Sequence, residues 1–257
     1  MTSVTALVRR PGPNLADGLV THIERQLVDV DLALQQWENY VATLRGVGWH
    51  IVEVAPLDDC PDAVFIEDTV VVRGNTALIT HPGASSRRPE VAAVRDVVRD
   101  LGYDLAEVAT PATLDGGDVL KIGDRIYVGQ GGRSNAAGAA ALATAFGGQG
   151  VDVVPVEVTK VLHLKSGVTA LPDGTVVGYL PLVDDASAFP SFLAVPEEAG
   201  AHVVVVDERR IIMASDAPRS AALFEDLGYD PIVVSISEFQ KLEGCVTCLS
   251  VRLRELP

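Results

Sequence analysis

The sequence predicts an α/β protein built from repeated strand–helix modules, and three observations carry that reading. Helix-like segments end in a glycine that leads at once into a β-branched run: Gly48 before WHIVEV, Gly102 before YDLAEV, Gly150 before VDVVPVEV and Gly228 before YDPIVVSI. Hairpin signals recur between them, with Gly74, Gly123 and Gly174 spaced at intervals of about fifty residues. The last apolar run, CLSVRL, has the pattern to pair beside the first, TALVRR, which would close about five modules into a ring around a central cavity. An open α/β sheet with scattered hairpins fits the same spacing, so pattern alone leaves both standing. A dinucleotide fold is disfavoured, because no Gly-x-Gly-x-x-Gly turn joins the first strand to the first helix.

The elements follow in order. Val30, Leu34, Trp37, Val41 and Leu44 fall at steps of three and four, as one buried helix face requires. VVVRGNTALIT then turns at Gly74-Asn75. Val91, Val94, Val98 and Leu101 repeat the helical pattern behind Pro89, a favourable early-helix residue. VLKIGDRIYVG turns at Gly123-Asp124, and Ser134 or Asn135 is placed to cap a third helix. GVTALPDGTVVGY turns at Asp173-Gly174 and VVVVDERRIIMA near Glu208; Asp216 followed by Pro218 marks the start of a fourth helix.

No linker or low-complexity tract divides the 257 residues, so residues 1–257 are read as one domain. Hydrophobic residues at 48% and charged residues at 21% are the balance of a folded chain able to bury a core without staples. A formal net charge of −15 argues against nucleic acid as a partner. It suits a cationic small substrate, although acidic surfaces also serve solubility. Three cysteines, Cys60, Cys245 and Cys248, are too few for a disulfide framework and point to a reducing compartment. Met1-Thr2-Ser3-Val4 shows no leader pattern, and no apolar run has the length of a membrane span. A cytoplasmic protein without membrane association is expected.

Four segments place reactive or charged residues beside apolar strands. In CPDAVFIED, Asp62, Glu67 and Asp68 precede the run from Thr69 to Val72. Acids buried there need a cation, and a guanidinium fits because its planar fork matches carboxylates. A solvated loop, or pairing with the chain's own arginines, stays open. Asp115-Gly116-Gly117-Asp118 sets paired glycines between two acids, which permits close backbone approach or a plain turn. His163 lies in the apolar run LHLKS, as a catalyst or as a hydrogen-bonded structural residue; no histidine or cysteine has metal-ligand spacing with it. Cys245-Val-Thr-Cys248 reads as extended, which would turn the two side chains to opposite faces, make a disulfide between them strained, and leave one exposed and one packed thiol.

Together these segments resemble the dimethylarginine dimethylaminohydrolases, guanidine-modifying enzymes of the pentein superfamily. The likeness spans nearly the whole chain through PDAVFIEDTVVV, HPGASSRRPEV, LDGGDVL, VGQGGRSN, LHLKSG and SEFQKLEGCVTCLS. It implies a five-bladed α/β propeller. It also implies Cys248 as nucleophile, His163 as general acid and base, and Asp115 as the residue orienting His163. Asp62, Glu67 and Asp68 would grip the guanidinium with Phe65 beside it, and Arg87 and Arg133 would hold the amino-acid carboxylate. The segment from Leu15 to His22 falls where those enzymes carry a mobile lid, with Leu19 as its candidate contact residue. Cys245 stands where that pattern carries glycine or a small apolar residue.

The implied reaction converts Nω-methylated arginines to citrulline through a covalent thiouronium, without metal or organic cofactor. Related deiminases and amidinotransferases carry longer chains, and a pentein-fold translation initiation factor would lack the Cys, His and Asp set. The oligomeric state is not legible, a homodimer being one option.

Overall fold

A computed structural model describes residues 4–254 and 256–257. The glycines expected to end helices do so. Gly48, Gly102, Gly150 and Gly228 all adopt positive φ, from 70° to 94°, where a side chain would be strained. After three of them the next N–H bonds back into the helix, Trp49 to Leu44, Tyr103 to Val98 and Tyr229 to Phe224. That bond ends the helix and aims the chain into a strand.

Five modules result. The first holds β1 (Thr5–Val8), α1 (Val30–Gly46) and β2 (His50–Glu53). The second holds β3 (Val70–Arg73), β4 (Thr76–Ile79), α2 (Val91–Asp100) and β5 (Asp104–Glu107). The third holds β6 (Val119–Ile122), β7 (Arg125–Gln130), α3 (Ala136–Phe146) and β8 (Asp152–Glu157). The fourth holds α4 (Leu164–Gly167), β9 (Val168–Ala170), β10 (Val176–Gly178) and β11 (Phe192–Ala194). The fifth holds β12 (Val203–Val205), β13 (Arg210–Ala214), α5 (Pro218–Asp226) and β14 (Asp230–Val234), and α6 (Ser237–Gln240) and β15 (Val251–Leu253) complete the chain.

Each module forms a separate three-stranded sheet. In four of them a hairpin supplies two antiparallel strands and a crossover returns a parallel third. The first sheet borrows its antiparallel strand from the far end of the chain, β15 lying beside β1 with Thr5 opposite Leu253 and Leu7 opposite Val251. This pairing decides between ring and open sheet: the fold is a closed α/β propeller of five blades.

Two details depart from the sequence pattern. The fourth module crosses over without an α-helix, through short 3-10 turns at Leu180–Leu182 and Ala186–Ala188. Asn135 caps α3 by accepting from Gly138, but Asp216 does not cap α5 and instead accepts from Gln240. The amphipathic faces pack inward as spaced. Trp37, Tyr40, Val41 and Leu44 are buried on α1, and the Tyr40 hydroxyl donates to the Val246 carbonyl at 2.9 Å and meets Ser250 Oγ at 2.8 Å. Helix α1 thereby pins the turn that carries Cys248. Among the described residues no helix is long and apolar enough to cross a membrane.

Candidate active site

The segment before β15 is a tight turn, which corrects the extended reading of Cys245-Val-Thr-Cys248. Glu243 takes a left-handed φ of 61°, the Cys248 N–H donates to the Cys245 carbonyl at 3.1 Å, and the strand begins only at Val251. A turn brings residues three apart together instead of onto opposite faces. The two sulfurs therefore lie 3.2 Å from each other, and both are buried, at 3% and 8% exposure. There is no exposed thiol and packed thiol; there is a buried pair. Cys245 Sγ also meets Thr247 Oγ1 at 3.2 Å.

His163 stands just ahead of α4, and its Nε2–H donates to Asp115 Oδ2 at 3.0 Å while Nδ1 lies 3.9 Å from Asp68 Oδ1. The Asp-Gly-Gly-Asp turn makes this approach possible. A Cβ on Gly117 would sit 2.7 Å from Asp68 Oδ1 and 2.8 Å from the His163 ring, so only glycine lets acid and imidazole close over it. Asp115 is fully buried, accepting from the Gly83 N–H at 2.8 Å, with its own N–H donating to Ser134 Oγ at 2.9 Å. Asp118, the second acid of that turn, accepts from Ser134 Oγ at 2.6 Å and from the Leu164 N–H at 2.9 Å. It thus anchors the residue following His163, a supporting role that the motif quoted but did not assign.

The remaining candidates separate into those left open and those already engaged. Glu67 is engaged: Oε1 pairs with Lys165 at 2.5 Å and Arg252 at 2.6 Å, and Oε2 accepts from Thr247 at 2.9 Å. Arg87 is engaged more completely, to Asp68 at 2.5 Å, to both oxygens of Glu90, and to the carbonyls of Asp62 and Phe65. Among the described residues only the second N–H of Nη1 is without an acceptor, so Arg87 has one donor to offer a substrate carboxylate. Its neighbour Arg88 is exposed and, among the described residues, commits only Nε, to the Pro82 carbonyl at 3.2 Å. Pattern could not rank two adjacent arginines; the signal was Glu90, one turn after Arg87.

Arg133 is buried, and its Nη1 has no hydrogen-bond partner among the described residues, standing 3.6 Å from Asp115 Oδ2. Gly83, next to the Pro82 that holds Arg88, would clash with the Arg133 backbone if it carried a Cβ. The two cations thus border one short segment. Asp62, at 6% exposure, forms no ion pair among the described residues and accepts only from the Leu19 N–H, at 3.0 and 3.2 Å. Leu19 belongs to a strap clasped at its far end by Glu243, which accepts from the N–H groups of Thr21 and His22 at 2.7 and 2.8 Å. Phe65 is buried edge-on to Phe239, with ring centroids 6.2 Å apart.

Asp68, Asp115 and His163 each offer a ligand atom within 4.8 Å of the others, the spacing of a metal cluster. The imidazole proton on Asp115 and the Arg87 guanidinium on Asp68 already supply the positive charge a metal would bring.

No family model matches the chain. A dimethylarginine dimethylaminohydrolase of Streptomyces coelicolor is 62% identical over 256 residues, covering 100% of this chain and 99% of that protein. The chain belongs to the dimethylarginine dimethylaminohydrolase family. A second dimethylarginine dimethylaminohydrolase, of Pseudomonas aeruginosa, is 33% identical over 96% of this chain and 98% of its own length. A solved structure of dimethylarginine dimethylaminohydrolase from Pseudomonas aeruginosa, a cysteine-to-serine mutant complexed with citrulline, superposes with a TM-score of 0.91 at 31% identity. It covers 98% of this chain and 100% of that one.

The electrostatics of this dimethylarginine dimethylaminohydrolase-family site are uneven. Burial opposes a charged His163, but Asp68, the hydrogen bond to Asp115, and the charges of Asp118 and Asp115 lift it to about 9. Burial would raise Asp68, yet His163, Arg87 and the Gly117 N–H hold it below the usual carboxylate range. Burial pushes Asp118 up to about 6, with His163, Ser134 and Leu164 pulling the other way. Asp62 is raised by burial, which Arg87, the Leu19 N–H and Arg133 only partly offset. In the thiol pair, the shared hydrogen bond lowers Cys245 and drives Cys248 up, and burial adds to the rise of Cys248. One proton leaves the pair readily and the second is held.

Proposed function

We propose that the chain hydrolyses Nω-methylated arginines to citrulline and methylamine or dimethylamine, with Cys248 as nucleophile, His163 as general acid and base, and Asp115 orienting His163. The observation that carries this reading is the buried imidazole of His163, bonded to Asp115 at 3.0 Å and lying 3.9 Å from Asp68, in a chain that matches dimethylarginine dimethylaminohydrolases end to end. A guanidinium carbon is a weak electrophile, because its charge is spread over three nitrogens. Holding it planar and aimed at sulfur is therefore much of the catalysis. Asp68 lies beside the reacting imidazole, and Asp62 is a buried acid without a cation of its own, so both suit a cationic substrate. Glu67 acts through Thr247 and Lys165, shaping the site beside Phe65. Leu19 closes over the substrate as part of the strap.

The arriving cation favours the thiolate of Cys248 over its thiol. Sulfur adds to the guanidinium carbon, and the carbon–nitrogen bond to the methylated nitrogen breaks as His163 gives that nitrogen its proton. The neutral imidazole then takes a proton from water. The hydroxide adds to the thiouronium carbon, and as the new hydroxyl gives its proton to solvent the carbon–sulfur bond breaks to release citrulline and the Cys248 thiolate. These steps use no metal or organic cofactor. The reading extends to one catalytic domain over residues 1–257 acting in the cytoplasm, a homodimer being one option for its assembly.

The test is incubation with asymmetric dimethylarginine, monomethylarginine, arginine and agmatine, scoring ureido product and released amine. Turnover of the methylated arginines is expected. Failure to turn over any methylated arginine would overturn the proposal, and preference for arginine would favour a deiminase.

The two arginines of the Ser85–Glu90 turn should separate in their effects. Arg87→Ala strands Asp68 and Glu90 without their cation and is expected to cost about 3–5 kcal/mol of stability, read as a lower unfolding midpoint. Arg88→Gln removes an exposed cation whose one hydrogen bond among the described residues is to the Pro82 carbonyl, and should leave the unfolding midpoint unchanged.

Cys245 should matter for oxidation rather than turnover. Peroxide converts one sulfur to a sulfenic acid with loss of water. The partner thiol, 3.2 Å away, then displaces a second water to form a disulfide that a dithiol reductant reopens. Cys245→Ala is expected to keep its turnover. With no partner thiol to trap the sulfenic acid, excess peroxide should carry Cys248 of that variant on to the sulfinic acid, so that it recovers less in dithiothreitol than the unmodified protein.

A further inference from the structure

A cavity of about 700 Å³ opens along the propeller axis, and none of His163, Asp115 or Cys248 lines it. Its wall is formed by β3, β6, β9, β12 and β15, one strand from each sheet, and its floor by Glu67, Lys165 and Thr247. Lys121, Lys165, Arg252 and Arg254 all face this space, with Arg73 at the rim paired to Asp124. Among the described lining residues Glu67 is the only acid, and it is taken up by Lys165 and Arg252. Lys121 Nζ donates to the Val72 carbonyl at 2.6 Å and Arg254 Nη2 to the Val205 carbonyl at 2.7 Å. Neither cation has a carboxylate partner among the described residues.

In a chain of net charge −15, a pocket holding four cations against one carboxylate is a local inversion of sign. Lys121 and Arg254 stand exposed to this space, and like charges gathered there repel one another, which a bound counter-charge relieves. We infer that this axial cavity is a binding site for a small multivalent oxyanion, either inorganic phosphate or a phosphate monoester. Lys121 and Arg254 grip it, and Arg252 and Lys165 lie beneath. Tetrahedral oxygens match this donor set: the Arg254 fork takes two of them, and Lys121 acts as a compact point charge on a third. The volume exceeds that of a phosphate group alone, which leaves room for the organic part of an ester. The site does not depend on the active-site reading, because its gripping residues touch no group of the catalytic turn.

The experiment is calorimetric titration of the full chain with inorganic phosphate and with glycerol 3-phosphate, at ionic strength held constant with chloride, in the presence and absence of citrulline. Saturable one-to-one binding that citrulline does not displace is expected, and the tighter of the two probes identifies free ion or ester. Lys121→Gln with Arg254→Gln should weaken binding about a hundredfold, about tenfold per lost contact, with turnover unchanged. Lys121→Met alone, which keeps the side-chain bulk, should weaken it about tenfold. Binding equally strong in these variants, displacement by citrulline, or heat no greater than chloride produces would overturn the inference.

Discussion

Replacing Cys248 by serine is expected to lower turnover of methylated arginine at least about a thousandfold while leaving the fold intact. The hydroxyl is smaller than the thiol and sits on a turn held by other groups. The Cys248 N–H and carbonyl bond to Cys245 and Glu67, and Tyr40 clamps Val246 and Ser250. None of these contacts uses the sulfur. What is lost is nucleophilicity, because a serine hydroxyl is a far weaker acid than a thiol and a poorer nucleophile toward the guanidinium carbon. Substrate affinity should survive, since Asp62, Asp68 and Arg133 are untouched. The measurement is citrulline formation alongside substrate binding by calorimetry. Cys245→Ala serves as the control that separates the two sulfurs. A serine variant at Cys248 that retained full turnover would remove Cys248 from the mechanism, and loss of turnover in Cys245→Ala alone would move the nucleophile to Cys245.

The parts of this protein legible in the sequence are those fixed by short-range rules. A glycine that must take positive φ marks the end of a helix, and Gly48, Gly102, Gly150 and Gly228 each did so wherever the module went. Pairing of TALVRR with CLSVRL was readable because both runs needed a partner, yet only the register of β1 with β15 separated a ring from an open sheet. The catalytic segments were visible as acids and glycines crowded against apolar strands. Their internal bookkeeping was not. Whether Glu67 serves a substrate or a neighbour depends on Lys165 and Arg252, which lie 98 and 185 residues away along the chain and arrive only through ring closure. The Cys-x-x-Cys stretch misled because its composition suits a strand. The left-handed Glu243 and the hydrogen bonds of Tyr40 bend it into a turn instead, a tertiary override of local propensity. The axial cations were invisible for the same reason: Lys121, Lys165, Arg252 and Arg254 belong to three blades.

His163→Asn carries the second large expected effect, a loss of about a hundredfold to ten-thousandfold in turnover, as general acid and base are both removed. The two half-reactions should not suffer alike. Methylated amines are poor leaving groups without a proton, and water is a poor nucleophile without a base. The second step is poorly served by the neighbouring acids, because the oxygens of Asp68 and Asp118 are engaged by Arg87, the Gly117 N–H, Ser134 and the Leu164 N–H. A Cys248 adduct should therefore persist in the variant and be visible by intact-mass spectrometry when a substrate with a better leaving group is supplied. The pH behaviour tests the charge assignment independently. His163 is lifted from 6.5 to about 9 in the folded state, so its protonated form stabilises the fold. That contribution is complete below pH about 6.5, the unfolded value, and drains away as pH rises through 9. The unmodified protein should thus lose unfolding temperature across that window, whereas His163→Asn, already without the cation, should show a flatter profile there and a lower midpoint at neutral pH. Identical slopes for the two proteins between pH 6.5 and 9 would mean that His163 is neutral in the folded state. The proton given to the departing amine would then have to come from elsewhere.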